Sequence, residues 1–358
     1  MAAKKKKKKG KRKVVLLFFE ILLLLIALAV LFVVQKMSKI DSGNKQDVKG
    51  MNVEKNDLHE AAAGVQEAYR TIALFGLDNR SVGKLDRGNS DVIIIASINE
   101  ETKEVRMASI YRDTYLDLTG GDGFNKCNAA YAYGGPSQAV SMLNVNFDLD
   151  IDEYISFDFN AVADAVDLLG GVEIELTEEE AGGINGYIEE VAELTGKEPD
   201  YIYGGGVYNM SGVQATSYAR IRFTKGDDFK RTERQRLVIE KMVEKALHSD
   251  LGTINKLVDT IFPEIKTSLT NTDILMLAKD AFSYQLGENA GFPILENRWA
   301  GYVDDKDVVV CCELTDTVKQ LHQFLFDEED YEVSPSVQEI SNRIVERSGV
   351  TRENGGNY

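Results

Sequence analysis

Three short apolar runs decide the fold: TIALFGL at 71–77, DVIIIASI at 91–98 and EVRMASI at 104–110. Each has the length and β-branched content of a strand. Between the second and third, NEETK (99–103) is short enough for a hairpin loop. An up-down-up meander then brings the end of the first strand (Asp78), the start of the second (Asp91) and the end of the third (Tyr111-Arg112-Asp113) to one edge of a sheet. Two carboxylates and a guanidinium converge at that edge.

Downstream, SQAVSMLNVNF (137–147) and FNAVADAVDLLGG (159–171) read as helices on either side of a strand at IDEYISF (151–157). Phe159, Val162, Ala163, Val166 and Leu169 recur at helical spacing and read as core rather than as a lipid groove. Gly170-Gly171 suits a helix end, and Val172 to Leu176 resumes as strand. Further helical stretches lie near 253–261, 272–284, 314–326 and 335–347, with a strand near 306–311. The pattern predicts an α/β fold, one domain over 71–345 whose central mixed β-sheet is flanked by helices, followed by a flexible tail at 346–358.

Upstream of the meander, VVLLFFEILLLLIALAVLFVV (14–34) carries a single charge, Glu20. About 20 apolar residues span a bilayer as a helix. The run is longer than the apolar core of a cleaved signal peptide, so one N-terminal transmembrane helix is expected. The tail before it (1–13) holds nine positive charges and no negative one. That bias keeps the N-terminus cytoplasmic and sends the rest of a single-pass protein outside the cell membrane. Residues 35–70 form a polar stalk with a helical segment at DLHEAAAGVQEAYR (57–70).

The chain has a formal net charge of −17, and without its nine-charge tail the remainder stands at −26. So acidic an exterior disfavours bulk nucleic-acid binding. Cys127, Cys311 and Cys312 are too few for a disulfide scaffold and lack metal-ligand spacing. They read as buried small hydrophobes, with a bridge to Cys127 left open. His59, His248 and His322 are scattered and suggest no shared site.

Against this acidity stands a basic cluster at 217–236, SYARIRFTKGDDFKRTERQR. Arg220 and Arg222 share a side only in extended backbone, whereas Arg231, Arg234 and Gln235 share one face of a helix starting near Phe229. Arginine forks suit phosphate oxygens, and one or two carboxylates with substrate phosphates suit Mg²⁺. The bland alternatives are intramolecular ion pairs, a helix cap at Asp227 or Asp228, and an Asp113 that merely orients Arg112.

Taken together, FGLDNR (75–80), SDVIIIASI (90–98), ASIYRDTYL (108–116), NKCNAAYAYGG (125–135), DLLGGVEIEL (167–176) and SGVQATSYARIRFTKGDDFKRTERQR (211–236) resemble the LytR-CpsA-Psr family over roughly 70–250. The resemblance implies an extracytoplasmic phosphotransferase, of the kind found in Gram-positive bacteria. Such an enzyme moves a teichoic acid, capsular polysaccharide or similar glycopolymer from a polyprenyl-diphosphate carrier to peptidoglycan through a phosphodiester. It further implies Mg²⁺ (or Mn²⁺) on Asp78 and Asp91, and a diphosphate-binding set of Arg112, Arg220, Arg222, Arg231 and Gln235. By the same resemblance Asp228 assists the acceptor hydroxyl, and Arg80 and Lys126 fall in matching motifs. Tyr111 stands where the family usually has Pro, Asn89 where Arg is common, with Arg87 nearby, and Cys127 where Ile is commoner. Two rival readings share these residues: a regulatory or polymer-binding protein without turnover, and a polyprenyl-diphosphate hydrolase.

Overall fold

A computed structural model describes residues 53–77, 85–224, 227–280, 283–353 and 355, within one compact unit, Ser42–Tyr358. The expected transmembrane helix at 14–34, the basic tail, Asp78 and Arg80 lie outside the described residues. Among the described residues no helix is long and apolar enough to cross a membrane.

The predicted meander is present as β1 (Tyr69–Leu77), β2 (Ser90–Asn99) and β3 (Glu104–Ile110). Neighbouring strands are antiparallel. The helix α1 is confined to Glu60–Glu67, and β1 begins at Tyr69 rather than at 71. Short strands β4 (Tyr115–Asp117) and β5 (Phe124–Lys126) pair after the meander, and helix α2 (Ala129–Phe147) follows. Helix α2 starts eight residues earlier than its apolar pattern at 137 suggests and is broken at Gly134-Gly135. Strand β6 (Glu153–Asp158) pairs parallel with β1.

Helix α3 (Phe159–Leu168) is capped by Asp158, whose carboxylate accepts from the Asn160 and Ala161 amides. Hairpin strands β7 (Val172–Leu176) and β8 (Gly206–Met210) bracket α4 (Glu178–Thr195), and α5 (Gly212–Tyr218) and α6 (Asp227–Leu247) come next. The C-terminal part supplies α7 (Leu251–Ile261), β9 (Lys266–Thr267), α8 (Asn271–Asp280), β10 (Gln285–Phe292), a β11 (Arg298–Val303)–β12 (Lys306–Cys311) hairpin, α9 (Leu314–Phe326) and α10 (Pro335–Ser348). Within the expected tail at 346–358, α10 continues to Ser348 and Val350 is buried in the core.

The central sheet has the order β10-β3-β2-β1-β6-β9 and is mixed. Residues 93–98 of β2 are buried without interruption, which is what a strand covered on both faces requires. One face carries Phe75, Ile93, Ile95 and Ile110 into a core with α2, α9 and α10. The other packs Ile94, Ala96 and Met107 against Ile239 of α6. A second core joins α3, α4 and α5 through Val166, Ile184, Ile188 and Val213. All three cysteines are buried and none is in a disulfide, so the open bridge to Cys127 is not made.

Candidate functional site

Asp91 owes its position to a bulge in β2. The register pairs Gly76 with Val92 and Leu77 with Ser90, so Asp91 is the extra residue, opposite no partner of its own. Bulges of this kind re-aim a side chain at a strand end. Gly76 makes room for it, since a Cβ there would come 2.7 Å from Val92 Cγ2.

Around Asp91 three guanidiniums gather. Arg112 Nη1 donates to both its oxygens, at 2.9 and 3.0 Å. Arg222 Nη2 is 3.7 Å and Arg231 Nη1 3.9 Å from Asp91 Oδ2. Arg231 is only 2% exposed, so its charge sits in a poorly screened setting. Asp113 orients Arg112, as the blander reading had it, with Oδ2 3.3 Å from Arg112 Nε and Oδ1 2.8 Å from Lys126 Nζ. The turn is clamped by its neighbour segment: Cys127 N donates to Thr114 O, Asn128 N to Arg112 O and Ser90 N to Asn128 O. The Cys127 thiol donates to the Tyr111 and Arg112 carbonyls, and burial pushes its pKa far up. It is packing and not a nucleophile.

The remaining predicted residues divide. Gln235, one turn beyond Arg231, reaches a cleft lined also by Gly76, Val92, Phe159, Val162, Val238 and Ile239. This cleft encloses about 410 Å³ including space open to solvent. Phe159 and Val162 were expected in the core; both line the cleft, and Val162 also packs at the edge of the second core that Val166 enters. Arg220 does not join Asp91. It turns to Glu190 at 2.9 Å with its guanidinium 4.7 Å over the Phe159 ring, because the chain after α5 is a turn and not extended.

Arg234 leaves the expected arginine face altogether. It donates to Glu180 at 2.8 Å, Ile221 O at 3.2 Å and Thr224 Oγ1 at 2.6 Å, and so pins the loop that carries Arg222. Burial works to raise the Glu180 carboxyl, but the Thr177 amide and the Arg234 guanidinium outweigh it and hold its pKa below the usual range. The side chain of Asp228 lies outside the described ones, although α6 begins at Asp227.

The sequence profile of the LytR_cpsA_psr family matches residues 28–288. The chain belongs to that family. Among its relatives, the Enterococcus faecalis polyisoprenyl-teichoic acid–peptidoglycan teichoic acid transferase TagU is 29% identical over 259 residues, 71% of this chain and 80% of TagU. Solved folds agree. A transcriptional regulator from Enterococcus faecalis superposes with a TM-score of 0.60 at 22% identity, covering 80% of this chain and 98% of that one. The family protein YwtF (TagT) of Bacillus subtilis, solved with bound octaprenyl pyrophosphate lipid, gives 0.52 at 20%, covering 76% and 94%. Within the LytR_cpsA_psr fold of this chain, Asp91, Arg112, Arg222 and Arg231 are the described residues that converge.

Arg236 and Arg298, beside Tyr111, also crowd this region and were not among the expected site residues. Arg236 sits inside the basic motif, where its spacing carries no mark of its own. Arg298 lies 67 positions past Arg231 and only the docking of the β11–β12 hairpin brings it near.

Proposed function

We propose that the chain is a membrane-anchored transferase that moves a glycopolymer from a polyprenyl-diphosphate carrier to a peptidoglycan hydroxyl through a phosphodiester. The observation that carries this reading is the junction of two unlike surfaces. Three guanidiniums around Asp91 meet an apolar cleft at Gln235. Such a site suits a ligand with a polyanionic head and a hydrocarbon tail. Its relatives, a teichoic acid transferase and a protein solved with bound octaprenyl pyrophosphate lipid, support the same choice.

In this reading Arg112, Arg222 and Arg231 take the diphosphate oxygens, and Gln235 marks where head gives way to tail. Arg220 rests over Phe159 at the rim and can exchange Glu190 for phosphate. Lys126 acts through Asp113, which keeps Arg112 aimed. The acceptor hydroxyl oxygen attacks the sugar-side phosphorus, and the bond from that phosphorus to the bridging oxygen breaks. The sugar phosphate is thereby joined to the acceptor, and the polyprenyl phosphate departs. Asp228 is assigned the hydroxyl proton. Fixed positive charge at the phosphate oxygens lowers the barrier by favouring charge that develops in the transition state.

Asp91 fits a share in a divalent cation, because it is a hard carboxylate where phosphates would arrive, and Mg²⁺ needs few protein ligands beside them. Asp78, directly after β1, is the second proposed ligand. Bound there, Mg²⁺ (or Mn²⁺) would neutralise phosphate charge. Residues 14–34 would hold the site beside the leaflet that contains the donor.

The test is to incubate the full-length protein in detergent or nanodiscs with a polyprenyl-diphosphate glycan, Mg²⁺ and peptidoglycan oligomers. A glycan joined to the oligomer through phosphate is expected. Free phosphorylated glycan alone would make the protein a hydrolase, and binding without either product would make it a receptor.

A further inference from the structure

The sheet places a second group of donors on the other flank of Asp91 from the apolar cleft. The cleft lies over β1 and β6, whereas this group lies over β3 and β10. Tyr111, at the end of β3, meets the Phe229 ring edge-on at 4.7 Å. Its Oη accepts from Arg298 Nη1 at 2.9 Å. Arg298 stacks its guanidinium 3.6 Å from the Phe229 ring centre. The hairpin that carries Arg298 is docked by Val309 N donating to Asp113 O at 2.8 Å, so this group and the Arg112–Asp113 turn form one body.

From α6, Arg236 enters the same space. It is 6% exposed and spends Nε on Asn289 Oδ1 at 3.3 Å. Among the described residues its buried Nη1 has no hydrogen-bond partner, and neither has Arg298 Nε. The nearby Glu240 carboxylate is taken by Asn289 Nδ2 at 2.6 Å. Gly291 of β10 lets Tyr111 Oη and Arg236 Nη1 sit directly against its backbone: a Cβ there would run into the first and come 3.0 Å from the second.

Two guanidiniums brought together with donors unspent are costly unless an anion completes them. We propose that Tyr111, Arg236 and Arg298 form a second anion subsite, which binds a phosphate or carboxylate carried on the sugar chain of the substrate. The word "sugar" rests on the transferase reading above; the anion does not. Burial draws the Arg236 pKa below its ordinary value, the strain that a bound anion relieves. The subsite lies beyond the phosphates as seen from the lipid cleft, on the side where the sugar chain leaves.

The experiment is calorimetric binding to the full-length chain of three probes that lack both diphosphate and lipid. They are a disaccharide with one phosphate monoester, the same disaccharide with one uronic carboxylate, and the neutral parent. The charged probes should bind at least tenfold more tightly than the neutral one. Arg298→Leu should abolish the difference, and Arg298→Lys should restore part of it. A preference for phosphate assigns the anion to the donor polymer, and a preference for carboxylate assigns it to the acceptor. Equal binding of charged and neutral probes, or a difference that survives Arg298→Leu, overturns the subsite. Should Arg298→Leu unfold, Gly291→Ala gives the same reading by displacing Tyr111 Oη and Arg236 Nη1. No turnover is needed, so a failure of transfer and a failure of the subsite are seen separately.

Discussion

Asp91 is the counter-ion of Arg112 and also the point to which Arg222 and Arg231 turn, with Arg112 Nη1 at 2.9 Å and the other two guanidiniums at 3.7 and 3.9 Å. A single carboxylate thus gathers three positive charges.

Asp91→Asn should therefore separate binding from chemistry. Removing the negative charge ends its competition with phosphate for the arginines, so donor affinity without Mg²⁺ should hold or rise, while turnover with Mg²⁺ falls by about 100-fold or more, as for loss of one preorganised charge group. Arg112→Lys should lose turnover on a similar scale, because an ammonium cannot present two forked donors. Donor titration and single-turnover rates check both.

Arg234 and Glu180 give a stability test. Both are at least nine-tenths buried, so Arg234→Ala leaves a carboxylate unpaired and should cost roughly 3–5 kcal/mol. The folded pKa of Glu180 lies below its ordinary 4.5. Its contribution is thus present above 4.5 and lost as pH falls through the lower folded value. Thermal midpoints of wild type and Arg234→Ala should converge as the pH drops below 4.5.

Glu264 works in the opposite sense. Burial, then the neighbouring Asp164, push its pKa up to about 7 from 4.5. The folded protein favours the protonated carboxyl, so stability is lost as pH rises from 4.5 through about 7. Glu264→Gln should raise the melting temperature at pH 8 and leave it little changed at pH 4.

The cleft can be probed by filling it. Val162 is half-buried and lines it beside Phe159. Val162→Trp should raise KM for a long-chain polyprenyl donor about tenfold, since a few buried methylenes at about 0.8 kcal/mol each are displaced. A donor with a short, water-soluble chain should be handled as before.

The proposed anchor predicts a similar split. Cutting the chain after Val34 should raise KM for donor in vesicles and leave the rate with detergent-dispersed short-chain donor unchanged. Equal effects on both donors would remove the anchor's assigned role in donor capture.

The C-terminal strands show where the sequence was mute. QLGENAGF (285–292), with two glycines, Glu and Asn, was not among the expected strands, yet it pairs in parallel with β3 as an edge strand with Gln285, Glu288 and Asn289 exposed. Its pattern is weak because an edge strand needs only one partner and little burial. Val308, Val309 and Val310 of β12 are nearly wholly buried, and that apolar run was legible.

By itself the sequence determined the meander, the α/β class, the position of the basic motif and the convergence of Asp91 with Arg112. Strand period and a short hairpin loop dictate which strand ends share an edge, and those are local properties. Only the tertiary structure decided which arginines serve that edge. Arg231 and Arg234 are neighbours on one helix, but Glu180 of α4 captures Arg234 while Asp91 draws Arg231. Tertiary packing likewise turned part of α3 from core into cleft, and brought Arg298 across to Tyr111. Charge partners and open volume are set by what packs opposite a side chain, and spacing along the chain does not contain that information.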